Sequence, residues 1–294
     1  MTDKSYIQEL TSEFLIKKTS KGNNEIYLIN AHNAPKAMNE IGRLRELTFT
    51  ESGGGTGKEL DIDEFDTSIN CYQQLIVFSP EHQEIIGGYR FIDCRSILPE
   101  NGTEIALSTT HYFNFSDQFV NDYLPYTMEL GRSWVQPKFQ PVNNLRLGLY
   151  ALDNIWDGLG ALVILYPHIK YFFGKVTMYP NYDVEARNTL LSFLQFYFAD
   201  QDNLVWPMES LAFQLDTSLF KGLDYKEGFK KLNSIVRSKG EVIPPLINIY
   251  MNLSPTMKTF GTAINADFGN VEETGILLTI EDIHEEKKLK YVSL

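Results

Sequence analysis

The chain has 294 residues, 43% of them hydrophobic and 22% charged, a composition that excludes a disordered or fibrous protein. Its 26 lysines and arginines against 38 aspartates and glutamates leave a formal charge of −12, which argues against nucleic acid as a partner, because phosphate backbones select basic faces. Two cysteines, Cys71 and Cys94, in a chain of this length read as reduced thiols rather than as a disulfide framework.

Residues 24–30 alternate as a short strand. Asn33 reads as a helix cap, with Pro35 in the first turn, where its missing N–H costs nothing. The helix places Met38, Ile41, Leu44 and Thr48 at helical spacing and ends at the glycines of 52–57. Residues 71–79 and 84–92 read as strands joined by the hairpin turn P-E-H-Q, and 126–135 as another strand. Residues 143–166 read as a long buried helix through Leu147, Ile155, Trp156, Leu159, Leu162 and Val163, 170–179 as a strand and 184–199 as a second buried helix. Beyond residue 200 the pattern is less regular, and 274–280 is the one further clear strand. The order predicts an α/β fold with a mixed, largely antiparallel central sheet flanked by helices, not a doubly wound nucleotide fold.

The N-terminus M-T-D-K-S-Y-I-Q-E-L lacks the basic and then apolar regions of a signal peptide. The longest apolar runs, such as 161–166, fall short of the ~18–20 residues of a membrane span. A cytoplasmic location follows as the expectation, with peripheral contact at the inner membrane face left open.

S-G-G-G-T-G-K at 52–58 draws the eye first. A phosphate-binding loop needs G-x-x-x-x-G-K-[ST] between a strand and a helix. Here Ser52 takes the first glycine position, Glu59 follows Lys58 and a helix precedes the loop, so an ATPase is excluded. The glycines predict a flexible or left-handed loop folded over a site. Five histidines show no metal spacing, and no metal site is expected.

A second constellation is more informative. Arg43, Arg45 and Phe49 lie on the first helix, D-I-D-E-F-D follows at 61–66, Arg90 closes G-G-Y-R, and E-L-G-R-S-W-V holds Glu129, Arg132 and Trp134. In a regular strand Glu129 and Arg132 face opposite ways; they share a face only across a bulge, which Gly131 permits. Each charge alone reads as a structural ion pair, but several in otherwise apolar segments point to a functional cluster.

Together R-L-R-E-L-T-F, the glycine loop, D-x-D-x-F-D, I-x-G-G-Y-R and E-L-G-R-S-W-V resemble the bacterial amino-acid N-acyltransferases that begin amino-acid lipid synthesis, many of them labelled hemolysin-like. The spine Arg45, Phe49, Asp63, Asp66, Arg90, Glu129 and Arg132 is similar to that of acyl-homoserine lactone synthases. Both families are variants of the GNAT acyltransferase fold, and the resemblance covers 40–199 well and the remainder more loosely. It implies a GNAT-like domain at 1–200 with a C-terminal extension at 201–294 packed on it.

The implied reaction moves a fatty acyl group, often 3-hydroxylated, from acyl carrier protein to the α-amine of a small amino acid, glycine preferred and ornithine next. No cofactor is implied beyond the acyl-phosphopantetheine of the carrier. The amine must attack as free base, so a carboxylate has to accept its proton. Glu129 is the first choice, with Asp63 and Asp66 the competing one, or else holding arginines or orienting the amine. Arg45, Arg90 and Arg132 are candidates for the substrate carboxylate, and Phe49 and Trp134 complete the substrate-binding set. Backbone N–H groups of the 129–135 strand would meet the oxyanion.

V-Q-P-K-F-Q-P-V-N-N-L-R-L-G lacks the glycine pattern by which ordinary GNAT enzymes hold the CoA pyrophosphate, which favours a carrier protein as donor. Lys138, Arg146, Lys170, Lys175 and the basic segment 221–239 are contacts for such an acidic partner. Phe113, Phe115, Trp134, Trp156, Phe172 and Phe173 are candidates to line an acyl tunnel, although core packing explains most of them equally well. The alternatives are a homoserine lactone signal synthase, usually a shorter protein, and a non-catalytic acyl- or carrier-binding module.

Overall fold

The computed structural model describes residues 4–98 and 105–292. The chain runs β1 (Leu15–Lys18), β2 (Glu25–Ile29), α1 (Pro35–Glu51), α2 (Glu64–Thr67), β3 (Gln73–Ser79), β4 (Glu84–Asp93) and β5 (Phe113–Phe115). It continues with β6 (Thr127–Val135), α3 (Leu145–Gly148), α4 (Ala151–Leu165), β7 (Tyr171–Met178) and α5 (Val184–Phe198). Next come β8 (Val205–Pro207), α6 (Tyr225–Ser238), α7 (Pro245–Met251), β9 (Lys258–Asn265), β10 (Val271–Thr279) and α8 (Glu285–Tyr291). By compactness it forms two units, one of Met1–Ser108, Tyr126–Ile169 and Glu285–Leu294, the other of Thr109–Pro125 and Lys170–His284. These are units of packing; a division at residue 200 concerns which residues carry the reaction.

In the first unit β1, β2, β3, β4 and β6 pair antiparallel in that order. Successive residues of a strand face opposite sides, and β3 shows both. Gln74 bonds Asp66, which bonds Arg45 of α1, whereas Leu75 lies against Gly158 of α4. Thus α1 and α4 cover opposite faces. The hairpin glycines are sterically required. A Cβ at Gly87 would stand 2.3 Å from the Trp134 carbonyl oxygen, and one at Gly88 2.3 Å from that of Leu75. On α4, Gly160 lets the backbone of Tyr291 approach to 1.9 Å from where its Cβ would be, and Lys290 and Tyr291 both bond Asp153.

The second unit has the antiparallel sheet β7-β10-β9 and the pair β5-β8. Phe115, Phe119, Phe173 and Phe260 form one aromatic cluster there, with ring centroids 5.0–6.3 Å apart, and α5 packs on α6 around Phe193, Tyr197 and Tyr225.

The α/β, largely antiparallel architecture matches the expectation, with differences in detail. Asn33 does not cap α1: Ala34 holds the N-cap position, and the Asn33 side-chain Oδ1 accepts from the Asn30 backbone N–H instead. The 143–166 helix is broken into α3 and α4. Even so, Leu145–Leu165 is, by length and composition, a 21-residue stretch long and apolar enough to cross a membrane, which corrects the expectation that none reaches that length; 61% of its most apolar 18-residue window is buried within the protein. Strand β9 escaped notice because its alternation is interrupted: Gly261 sits at φ +83°, and the register with β10 shifts beside it.

Candidate active site

Six charged side chains from four segments of the first unit meet in one network. The fully buried Arg45 donates through Nε to Asp61 at 2.9 Å and through both terminal nitrogens to Asp66 at 3.1 and 3.2 Å. Arg90 reaches both oxygens of Asp63 at 2.7 and 2.8 Å and Asp66 at 3.2 Å. Arg132 clamps Asp61 through Nε at 2.8 Å and Nη2 at 3.1 Å.

The local fold of D-I-D-E-F-D explains the convergence. Asp63 accepts from the Asp66 N–H while Asp66 accepts from the Asp63 N–H, a capping box that closes the single turn of α2. The turn presents Asp61, Asp63 and Asp66 together. Burial raises the Asp61 carboxyl, but Arg45 and Arg132 outweigh it and hold the group at about 2. Burial likewise opposes ionisation of Asp66, and Arg45 and Arg90 override it, so its carboxyl also lies below the ordinary value. Asp66 takes five donors, from Arg45 twice, Arg90, Gln74 and its own capping box. The geometry therefore uses Asp63 and Asp66 to hold arginines.

One donor in the network is unspent. Arg90 Nε is buried with no hydrogen-bond partner among the described residues. Arg90 lies opposite Gly131 in the ladder, and a Cβ at Gly131 would stand 3.4 Å from that Nε, with other described atoms within 4 Å coming only from Arg90 itself. The Arg90 guanidinium carbon lies 5.1 Å from the Tyr72 ring centroid and 5.7 Å from that of Phe65, cation–π contacts that fix it from the side.

The expected bulge is present. Gly88 pairs with Trp134 and Arg90 with Gly131, so Arg132 and Ser133 together oppose Tyr89. Arg132, not Gly131, adopts the left-handed conformation, at φ +46°. Backbone strain at a non-glycine residue thus turns Arg132 back onto Asp61, which sequence alternation alone placed on the other face.

Glu129 pairs with Ile92 and lies on the same face as Gly131. Its side chain is fully buried and accepts from the Ser108 hydroxyl at 2.6 Å. The Ser108 backbone N–H donates in turn to the Tyr72 phenol oxygen at 3.0 Å. Burial, and after it the Glu129 charge, push the Tyr72 phenol and the Cys94 thiol well above their ordinary values.

Phe49 follows Arg45 by one turn of α1 and is buried, as is Trp134 beyond the bulge. The glycine loop is left-handed as expected, with Gly53, Gly55 and Gly57 at φ +71° to +96°, but it is fastened to its own helix. The Glu46 carboxylate accepts from Thr56 N–H and hydroxyl at 2.9 and 2.7 Å and from the Gly57 N–H at 2.8 Å. Burial raises the Glu46 carboxyl, and these bonds bring it below its ordinary value.

The tunnel candidates do not form one group. Phe115 and Phe173 join the aromatic cluster of the second unit, and Phe113 lies against Gly275 of the same unit. Phe172 points to the opposite face of β7 from Phe173, and Trp156 packs near Tyr291. Among the basic candidates Lys138 pairs with Glu84, Lys175 with Glu273 and Lys239 with Glu185. Arg146 lines a cavity of about 480 Å³ with Asn24, His82 and Tyr150. Sequence reasoning did not single out Asp61, Ser108 or Tyr72. Asp61 was visible as the first carboxylate of its motif, whereas Ser108 and Tyr72 carry no signal apart from the fold.

Residues 44–148 match the family model described as an acetyltransferase (GNAT) domain, and the class of the protein follows: a GNAT-fold acyltransferase. The chain is 48% identical over 288 residues to the glycine N(alpha)-acyltransferase of Phocaeicola vulgatus, with 97% of this chain and 88% of that protein covered. It is 50% identical over 290 residues to the glycine N(alpha)-acyltransferase of Bacteroides thetaiotaomicron, with 97% and 86% covered. It belongs to the family of amino-acid N-acyltransferases that these two represent. Among solved structures it is similar to the acyl-homoserine lactone synthase LasI (15% identity, 57% of this chain and 77% of that one, TM-score 0.33). It is also similar to the CoA-dependent acyl-homoserine lactone synthase BjaI (11% identity, 90% and 86%, TM-score 0.40).

Proposed function

We propose that this N-acyltransferase moves a 3-hydroxyacyl chain from acyl carrier protein to the α-amine of glycine, the first step of amino-acid lipid synthesis. The observation that supports the acceptor is the unspent Arg90 Nε beside Gly131: a buried guanidinium donor with no partner among the described residues, next to a residue without a side chain, suits a small carboxylate. Ornithine would need a further carboxylate for its side-chain ammonium. The nearest carboxylates, Asp61, Asp63 and Asp66, are occupied by arginines. The naming of both curated relatives for glycine supports the same choice.

In this reading Arg90, steadied by Asp63 and Asp66, holds the glycine carboxylate, with Arg45 and Arg132 fixing the aspartates. Glu129, directly or through a water, takes the proton of the ammonium. The free amine attacks the thioester carbonyl, and backbone N–H groups at the β6 bulge meet the oxyanion. The C–N bond forms first; the tetrahedral adduct then collapses with cleavage of the C–S bond, the leaving thiolate takes up the second amine proton as thiol, and Glu129 returns the first to solvent. Phe49 and Trp134 pack against the reacting groups. The reaction machinery lies within 1–200, with 201–294 as the extension, and the reaction runs in the cytoplasm or at the inner face of the membrane. Lys138, Arg146, Lys170 and 221–239 are the surface candidates for the acidic carrier, whereas Lys175 is taken up by Glu273.

The test is release of holo-carrier from 3-hydroxyhexadecanoyl carrier protein with each amino acid in turn, the products identified by mass. Release with glycine alone is expected; release with ornithine instead would overturn the acceptor, and no release with any amine would overturn the donor. Glu129→Gln should lower turnover about 10²–10⁴-fold, the usual contribution of a general base.

A further inference from the structure

We infer that Ser108 is a positioning residue that holds Glu129 in its ionised, proton-accepting form, and that Tyr72 fixes Ser108 for the task; this rests on Glu129 as the base of the proposed reaction.

Glu129 is a carboxylate wholly removed from water, an environment that by itself favours the neutral acid. A buried base needs donors aimed at its charged form. The Ser108 hydroxyl supplies one at 2.6 Å to Oε1, the short distance of a charge-assisted O–H···O⁻ bond. A serine hydroxyl rotates freely, so the aim depends on the backbone, and Ser108 is held at that level by its N–H bond to the Tyr72 phenol oxygen at 3.0 Å. Tyr72 is itself 1% exposed and wedged between the Phe65 ring, 5.7 Å away, and the Arg90 guanidinium. One buried chain therefore links Arg90 to the proton acceptor through Tyr72 and Ser108.

Two described groups whose electrostatics involve Glu129 do not donate in place of Ser108. The Cys94 thiol, following β4, and the Tyr72 phenol, preceding β3, both stay protonated under burial and the carboxylate's own charge. Arg90, on β4, is committed through Nη1 to Asp63 and Asp66.

Removing the hydroxyl should make the base harder to ionise without moving the substrates. With the full chain, glycine and acylated carrier, Ser108→Ala is expected to shift the acidic limb of the kcat–pH profile upward by about one pH unit. KM for glycine should be unchanged, and activity should return toward the parent's at high pH. Ser108→Thr, which keeps a hydroxyl, should restore the limb, and Tyr72→Phe should give a smaller shift in the same direction. Thermal unfolding of each variant separates folding from chemistry. A uniform loss at every pH from a folded Ser108→Ala protein, or an unmoved profile, overturns the inference. If Glu129→Gln abolishes turnover while Ser108→Ala leaves the profile in place, the base survives and only its positioning by Ser108 falls. If Glu129→Gln remains active, the base assignment falls and the role of Ser108 with it.

Discussion

Two buried polar clusters, one in each packing unit, use charge in opposite ways. In the first, Arg45, Arg90 and Arg132 neutralise Asp61, Asp63 and Asp66, and a guanidinium N–H is left over. In the second, Glu273 on β10 accepts from Lys175 and Thr177 on β7 and from Asn265 on β9, and the atom left over is the Asn265 carbonyl oxygen. Burial raises the Glu273 carboxyl, but Lys175 and the hydrogen bonds keep it below its ordinary value. A spare guanidinium donor can take an anion even in a charge-balanced network; a spare amide acceptor beside a satisfied carboxylate cannot. On the proposed function the first cluster receives the substrate carboxylate, whereas the second ties three strands together.

That contrast can be broken by substitution. Asp66→Asn should have the largest effect, because it strips the shared partner from two buried arginines; unfolding in urea should show a loss of about 3–5 kcal/mol. Glu273→Gln should cost about 1–3 kcal/mol by the same measurement, less because Lys175 is 11% exposed and can keep water. It should leave turnover per folded enzyme unchanged, and a specific fall in glycine affinity would erase the distinction. Arg90→Lys should keep the fold but raise KM for glycine about tenfold, roughly 1.4 kcal/mol, since an ammonium lacks the second edge of a guanidinium. An unchanged KM would remove the carboxylate from Arg90.

Much of the frame was legible beforehand because it rests on local pattern. The apolar spacing of α1, the hairpin of β3 and β4 and the strand E-L-G-R-S-W-V announce themselves by period and turn chemistry. The convergence of Arg45, Asp66 and Arg90 was legible only through resemblance, since residues 45, 66 and 90 meet by folding alone. The bulge was anticipated as one that Gly131 permits, but nothing in the sequence pointed to Arg132 as its left-handed residue. The register of β6 puts the strain on Arg132, which no local propensity favours. The glycine loop misled in a similar way: its conformation follows from composition, whereas its anchor, Glu46, is one helical glutamate among several. Ser108 belongs to a stretch with no period at all, and only the packed structure brings its hydroxyl to Glu129.

The contact of Tyr291 with α4, allowed by Gly160, carries a consequence for synthesis on the ribosome. The first unit is discontinuous: its last segment, Glu285–Leu294, follows the whole of Lys170–His284 in the chain. At ordinary elongation rates the intervening stretch takes on the order of ten seconds to emerge. During that interval α4, an apolar helix with Trp156 on its surface toward Tyr291, waits without its cover. A nascent chain stalled before Glu285 would present that face to chaperones, and the same polypeptide released after α8 would hide it.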